Sequence, residues 1–87
     1  MTKRQVKELR KQVEAAWASK DLQEGAAMAS DAIVDGLDGS MLVWWDERNG
    51  TILNRQYSKE ADYYRALRRL DFQLLDKLDA EAAKENA

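Results

Sequence analysis

Apolar residues recur at helical spacing near the start of the chain, and charged residues occupy much of the surface between them. The apolar positions are Val6, Leu9, Val13, Ala16 and Trp17. A recurrence every three to four residues is typical of a helix with one buried face. Thr2 lies three residues before Gln5, the spacing of a capping box, in which each side chain bonds to the backbone N–H of the other residue. We therefore expect a helix over residues 3–18.

A second helical pattern follows, with Asp21 as the expected N-cap and Glu24 at the capping-box spacing after it. Its apolar positions are Leu22, Ala26, Ala29, Ile33 and Leu37. Glycines at 36 and 39 supply the backbone freedom that a helix end favours, so the predicted helix spans residues 21–37. An acidic row on its polar side is a candidate partner-binding surface, and its members are Glu24, Asp31, Asp35 and Asp38.

Small residues form a seam beside the apolar line of the second helix. The members of this small-residue seam are Gly25, Ala29, Ala32 and Gly36. Such a seam lets a neighbouring backbone approach closer than the roughly 8–10 Å that usually separates helix axes. The neighbour is either another helix of the same chain or the same helix of a second copy, which would make the protein a homodimer.

Residues 41–57 combine β-branched and aromatic side chains with an Asn49–Gly50 pair, which is the pattern of a β-hairpin. We favour a four-residue loop over residues 47–50, and a two-residue Asn-Gly turn is the alternative. Neighbouring residues of a strand point to opposite faces of the sheet. Trp44 and Trp45 would therefore lie on different faces of this hairpin.

Both faces of the predicted hairpin are apolar near the turn, and three arrangements would cover them. Helices of the same chain could cover both faces, a second copy could pair along the hairpin edge, or one face could bind a different protein. Three helices seldom cover both faces of a hairpin. We therefore expect Trp44 to be buried and Trp45 to face a partner, together with Ile52 and Asn54 on the same face.

The last apolar stripe predicts a helix over residues 59–83, followed by a frayed tail over residues 84–87. Its apolar positions are Tyr63, Tyr64, Leu67, Leu70, Leu74, Leu75 and Leu78. Asp71 falls inside this stripe, where a carboxylate is costly unless it is paired. Either its charged end lies in water or in a salt bridge at the edge of the stripe, or it forms a buried pair with Arg68 or with a basic residue of the first helix.

The predicted architecture is a single α+β domain over residues 1–87, mostly helical. Its order is ααββα, with a two-stranded antiparallel hairpin packed on the helices.

Composition argues against most catalytic chemistry. The 87 residues include no histidine and no cysteine, so the usual general base near neutral pH, the commonest zinc ligands and the thiol nucleophile are missing. We predict no enzyme activity, no metal site and no cofactor. No secretory signal or apolar run of about 18 residues is recognisable, and the lack of cysteine suits a reducing compartment. We expect a cytoplasmic protein without a membrane segment.

Charge is nearly balanced, with 14 basic and 16 acidic residues, but it is unevenly distributed along the chain. Residues 1–20 and 51–69 are mainly basic, whereas residues 21–50 are mainly acidic. Either oppositely charged segments lie beside one another in the fold, or a two-signed surface steers a partner. A basic cluster with two tyrosines nearby is a candidate nucleic-acid surface, formed by Arg65, Arg68 and Arg69. A sequence pI near 5.1 argues against that class.

These patterns predict a non-enzymatic protein-binding module, a small adaptor or inhibitor that acts on a larger protein. Small cofactor-free domains of this kind are common among phage and mobile-element proteins that block a host enzyme. The candidate partner-binding residues are Trp45, Ile52, Asn54, Glu24, Asp31, Asp35, Asp38, Arg65, Arg68 and Arg69. The alternatives are a nucleic-acid-binding regulator that uses the arginine cluster, and a structural homo-oligomer that uses the hairpin edge or the small-residue seam.

Overall fold

The structure is a computed structural model that describes residues 1–85 of the chain. Within these residues the regular secondary structure is helical. The helices are α1 (Lys3–Trp17), α2 (Leu22–Gly36), α3 (Gly39–Asn54) and α4 (Glu60–Glu85). The expectation of an α+β fold with the order ααββα is wrong, because the described chain contains no strand and is a helical bundle. The frayed tail was predicted over residues 84–87. Residues 84 and 85 instead belong to α4, which extends to Glu85, and residues 86 and 87 lie outside the described part.

The first two helices begin at the caps that the sequence indicates. The Gln5 backbone N–H donates to Thr2 Oγ1 at 3.2 Å, and the Thr2 backbone N–H donates to Gln5 Oε1 at 2.8 Å, which completes the capping box. At the start of α2, the Glu24 backbone N–H donates to Asp21 Oδ1 at 3.1 Å. Each cap satisfies backbone donors that a helix start leaves without intrahelical partners.

The small-residue seam is used inside the chain, where it brings α2 against α1. A Cβ built on Gly25 would lie 2.6 Å from the backbone oxygen of Ala16, and one built on Gly36 would lie 3.4 Å from a methyl group of Leu9. Ala29 is fully buried. Gly25 and Ala29 are therefore buried within the chain, whereas Ala32 is half-buried and Gly36 is exposed.

Residues 39–54 form helix α3, where the sequence predicted most of a hairpin. Gly39 has a φ of +64°, a left-handed conformation that glycine adopts at little cost, and it allows the chain to turn sharply between α2 and α3. Inside α3, the Thr51 hydroxyl donates to the Glu47 carbonyl at 3.1 Å, a bond that β-branched threonine can form in a helix. The Asn49–Gly50 pair therefore lies within a helix and makes no turn.

Helix geometry also resolves the question of the two adjacent tryptophans. Successive side chains on a helix are about 100° apart, whereas on a strand they point in opposite directions. Trp45 is buried and Trp44 is half-buried, and both pack against the same core. The hairpin prediction failed because local β-propensity is weaker than packing against a neighbouring helix.

Helix α4 is the central element, and α1, α2 and α3 all pack against it. Its buried side chains are Leu70, Asp71, Leu74, Leu75, Leu78 and Ala82. Within residues 1–85, α3 makes its only extensive helix–helix interface with α4, while α1 and α2 also pack closely on each other. Helix α3 is thus a peripheral helix, and Trp45 is its one fully buried side chain. No helix of residues 1–85 combines the length and apolarity needed to cross a lipid bilayer.

Candidate functional site: a basic groove between α3 and α4

A buried carboxylate ties three helices together beneath the candidate site. Asp71 of α4 is 3% exposed, and its two oxygens accept hydrogen bonds from two indoles. Trp17 Nε1 of α1 donates to Asp71 Oδ2 at 2.9 Å, and Trp45 Nε1 of α3 donates to Asp71 Oδ1 at 2.8 Å. The two bonds join α4 to α1 and to α3. This junction therefore sets the position of α3 on α4.

The burial of Asp71 outweighs its hydrogen bonds in setting its protonation. Desolvation raises the pKa of the Asp71 carboxyl above its ordinary value, and the bonds from Trp45 and Trp17 lower the pKa by less. Asp71 is buried, but the pairing with Arg68 or a basic residue of α1 that the sequence suggested is wrong. The Arg68 guanidinium instead lies over the ring of Phe72, 5.9 Å from its centroid.

The two tryptophans have the opposite exposure to the one expected. Trp45 is 3% exposed, so it cannot present its ring to a partner while α3 is docked. Trp44 is half-buried, and two cations lie over its ring: the Arg48 guanidinium at 4.2 Å from the centroid and the Lys77 ammonium at 5.6 Å. Trp45 is the more buried of the two because its indole N–H donates to the buried Asp71 carboxyl.

The C-terminal half of α3 and the facing turns of α4 enclose a groove of about 250 Å³, named the α3–α4 groove. Its apolar lining includes Ile52 and Leu70, and its basic lining consists of Arg48, Arg55 and Arg69. Tyr57, from the segment between the helices, also lines it, and the Tyr57 ring packs against the Tyr63 ring with centroids 5.9 Å apart. The groove therefore combines an apolar surface with three guanidinium groups.

The charge of this groove is unbalanced within the described chain. No carboxylate contributes to its lining, and in residues 1–85 no carboxylate lies within 4.0 Å of a nitrogen of Arg48, Arg55 or Arg69. Arg48 is held by α3 itself, because its Nη1 donates to the Trp44 carbonyl at 3.2 Å. The groove thus offers positive charge that the chain does not neutralise by direct pairing.

In two of the larger clefts, the charged residues of the lining are not all basic. A cleft of about 510 Å³ between α1 and α2 is lined by Arg4 but also by Glu8 and Asp35. Another of about 510 Å³ has Lys77 beside Asp38 and two glutamates. Each of these linings carries charges of both signs, so neither cleft favours a ligand of one sign. The α3–α4 groove is smaller and chemically more selective.

The predicted arginine cluster is divided by the fold. Arg69 lines the α3–α4 groove, Arg68 lines a cleft beside Trp17 and Phe72, and Arg65 pairs with Asp62 at 3.5 Å within α4. Of the other predicted residues, Ile52 lines the groove, whereas Asn54 is exposed at the last position of α3 and does not line it. The acidic row is exposed and lies outside the groove lining, and its members are Glu24, Asp31, Asp35 and Asp38.

Sequence reasoning missed Arg48, Arg55 and Tyr57. The signal was present, because Arg48, Ile52 and Arg55 follow one another at spacings of four and three residues, which places them on one side of a helix. This helical spacing is not recognisable when the same residues are interpreted as a turn and a strand.

A comparison of the chain with protein-family models finds no match. Comparisons with curated proteins and with solved structures find no match either.

Proposed function

We propose that this chain is a non-enzymatic protein-binding module, a small adaptor or inhibitor, and that its partner docks on the α3–α4 groove. The observation that carries the proposal is the set of three arginines around an apolar floor. Arginine and aromatic side chains are enriched at the energetic centres of protein interfaces. The groove has both, in Arg55, Arg69 and Tyr57.

The chemistry of the groove suits docking better than catalysis. Guanidinium groups stay protonated and bind carboxylates with paired hydrogen bonds, but they do not serve as general bases near neutral pH. The chain has no histidine to act as a general base and no cysteine to act as a nucleophile. The expected compartment remains the cytoplasm, because a chain without cysteine does not depend on an oxidising environment.

Protein is favoured over nucleic acid because of the distribution of charge. A nucleic-acid surface needs a basic stripe along the phosphate backbone, whereas here the arginines of α4 point to different sites and the chain as a whole carries a net charge of −2. The apolar floor at Ile52 and Leu70 also has no counterpart in a phosphate backbone.

The test compares three full-length chains as bait in a nuclease-treated lysate of the native host. They are the wild type, a groove variant with Arg55→Glu and Arg69→Glu, and a control variant with Lys7→Glu and Lys11→Glu. The control makes the same change in net charge on the exposed surface of α1. Circular dichroism should show equal helicity for all three.

We expect a protein that binds the wild type and the control and is lost with the groove variant. That protein is then purified and titrated against the three chains. Capture of the same proteins at the same level by all three chains would contradict the proposal. A parallel capture from untreated lysate that yields nucleic acid alone would favour the nucleic-acid-binding alternative.

A further inference from the structure

We infer that the occupant of the α3–α4 groove is a short acidic segment of the partner protein that inserts one apolar side chain between carboxylates. This inference rests on the proposed function and adds the chemistry of the ligand. It follows from the charge, the size and the spacing of the groove, taken in turn.

Charge complementarity selects an anionic ligand. Arg55 at the C-cap of α3 and Arg69 of α4 both line the groove, and in residues 1–85 neither has a carboxylate oxygen within 4.0 Å of its nitrogens. Two guanidinium groups that face one groove repel each other, and a carboxylate between them removes that repulsion while it accepts paired hydrogen bonds. A basic ligand would add to the repulsion.

The volume and the apolar lining of the groove favour a single side chain, rather than a whole small molecule, as its occupant. Pockets for drug-sized ligands have volumes of roughly 300–1,000 Å³, and this groove has about 250 Å³. Its floor is partly apolar, because Ile52 and Leu70 are both in its lining. An apolar side chain that covers this floor gains from leaving water, whereas a phosphate group does not.

The spacing of the arginines indicates the spacing of the carboxylates. Arg48 lies in α3 and Arg55 is its C-cap residue, seven positions later, so their Cα atoms are separated by about 10 Å along the helix axis. An extended peptide covers that distance in roughly three residues. Because the Arg48 guanidinium lies back over Trp44, one turn before Arg48, the matching segment has acidic residues at least about three positions apart, with an apolar residue between them.

Arg48 is the pre-organised member of the set. Its guanidinium lies over the Trp44 ring and donates to the Trp44 carbonyl, so less side-chain freedom is lost when a carboxylate binds. All three arginines are exposed, and since no such contact holds Arg55 or Arg69 in residues 1–85, we expect binding to order both.

The experiment uses a fluorescently labelled dodecapeptide of glutamate and serine with one central leucine, and measures its binding to the full chain by anisotropy. Two control peptides replace the leucine by serine or every glutamate by glutamine. A single-stranded oligonucleotide of similar length serves as competitor. The chains are the wild type, the charge-removing variants Arg55→Gln and Arg69→Gln, and Lys7→Gln as control.

We expect saturable binding of the acidic peptide that weakens about tenfold or more in Arg55→Gln and in Arg69→Gln, as for an arginine at the centre of an interface. Lys7→Gln should bind as the wild type does. Replacement of the central leucine should weaken binding as well, and the glutamine peptide should not bind.

Three outcomes would overturn the inference. The acidic peptide could fail to bind, the serine and leucine peptides could bind equally, or the oligonucleotide could bind more tightly than the peptide. If the peptide fails while the groove variant still loses its captured protein, the ligand chemistry is wrong and the proposed function stands. If capture is also unchanged by the groove variant, both proposals fail.

Discussion

The substitution Asp71→Asn tests the junction that holds α3 on α4. Asparagine has nearly the same shape as aspartate, so its Oδ1 can still accept one of the two indole hydrogen bonds. Its Nδ2 is a donor and would face the second indole N–H, which is then left without an acceptor inside the protein. An unsatisfied buried donor costs about 1–3 kcal/mol. We therefore expect Asp71→Asn to lower the free energy of unfolding.

The size of this loss should depend on pH, with a sign fixed by the environment of Asp71. Burial raises the pKa of Asp71 in the folded protein above its ordinary value of 3.8. The folded state then binds the proton more readily than the unfolded state, so the stability that comes from Asp71 is complete below about pH 3.8 and is lost as pH rises through the raised pKa. Asparagine does not titrate. The advantage of the wild type over Asp71→Asn should therefore be largest in acid and smaller at neutral pH.

The assay is urea unfolding followed by circular dichroism, at about pH 4.5, 5.5 and 7.0. Other carboxylates titrate alike in both proteins, so their contributions cancel in the difference. Asp46→Asn is the matched control, because it removes an exposed carboxylate from α3 and should change stability little at any of these pH values. A difference between wild type and Asp71→Asn that grows toward neutral pH would mean that the hydrogen bonds outweigh burial, and would refute the reasoning.

Three further substitutions test the packing, each by urea unfolding. Gly50→Ala should stabilise the protein by about 0.5–1 kcal/mol, because glycine weakens a helix interior and an added Cβ meets nothing within 4 Å; a loss of stability would instead favour a turn at this residue. Gly25→Ala should destabilise it by about 1–3 kcal/mol, because the new Cβ would lie 2.6 Å from the Ala16 oxygen; an unchanged stability would contradict this close approach of α1 and α2. Trp45→Phe should cost about 1–3 kcal/mol, because it leaves one buried oxygen of Asp71 without its hydrogen bond, and more than Trp44→Phe; equal losses would count against the bond.

Three of the four helices in residues 1–85 follow from local patterns. The first two begin beside side chains that cap them, Thr2 and Asp21, and α4 follows its apolar stripe. These signals involve residues three or four positions apart, so they can be read without knowledge of the fold. Helix α3 could not be read in this way, because its residues favour strand and turn locally and its helix depends on packing against α4.

The site was predictable only where it depended on a single element. Asp71 was notable from the sequence because a carboxylate falls among leucines. Its partners lie 54 and 26 residues away, at Trp17 and Trp45, and no periodicity links such distant positions. Arg69 was among the predicted binding residues, but the groove that it lines exists only once α3 lies beside α4.

The strand-like sequence of α3 has a consequence for the protein in solution. Residues 42–45 and 51–53 are mainly β-branched, aromatic or leucine, the composition of segments that assemble into intermolecular sheets when they are released from a fold. Within the helix their backbone groups are paired internally and Trp45 is covered. A molecule whose α3 has detached also exposes the covered members of both segments, Leu42, Trp44, Trp45 and Ile52, together with the apolar floor of the groove. We therefore expect the loss of the hydrogen bond from Trp45 to Asp71 to increase the tendency of the chain to aggregate.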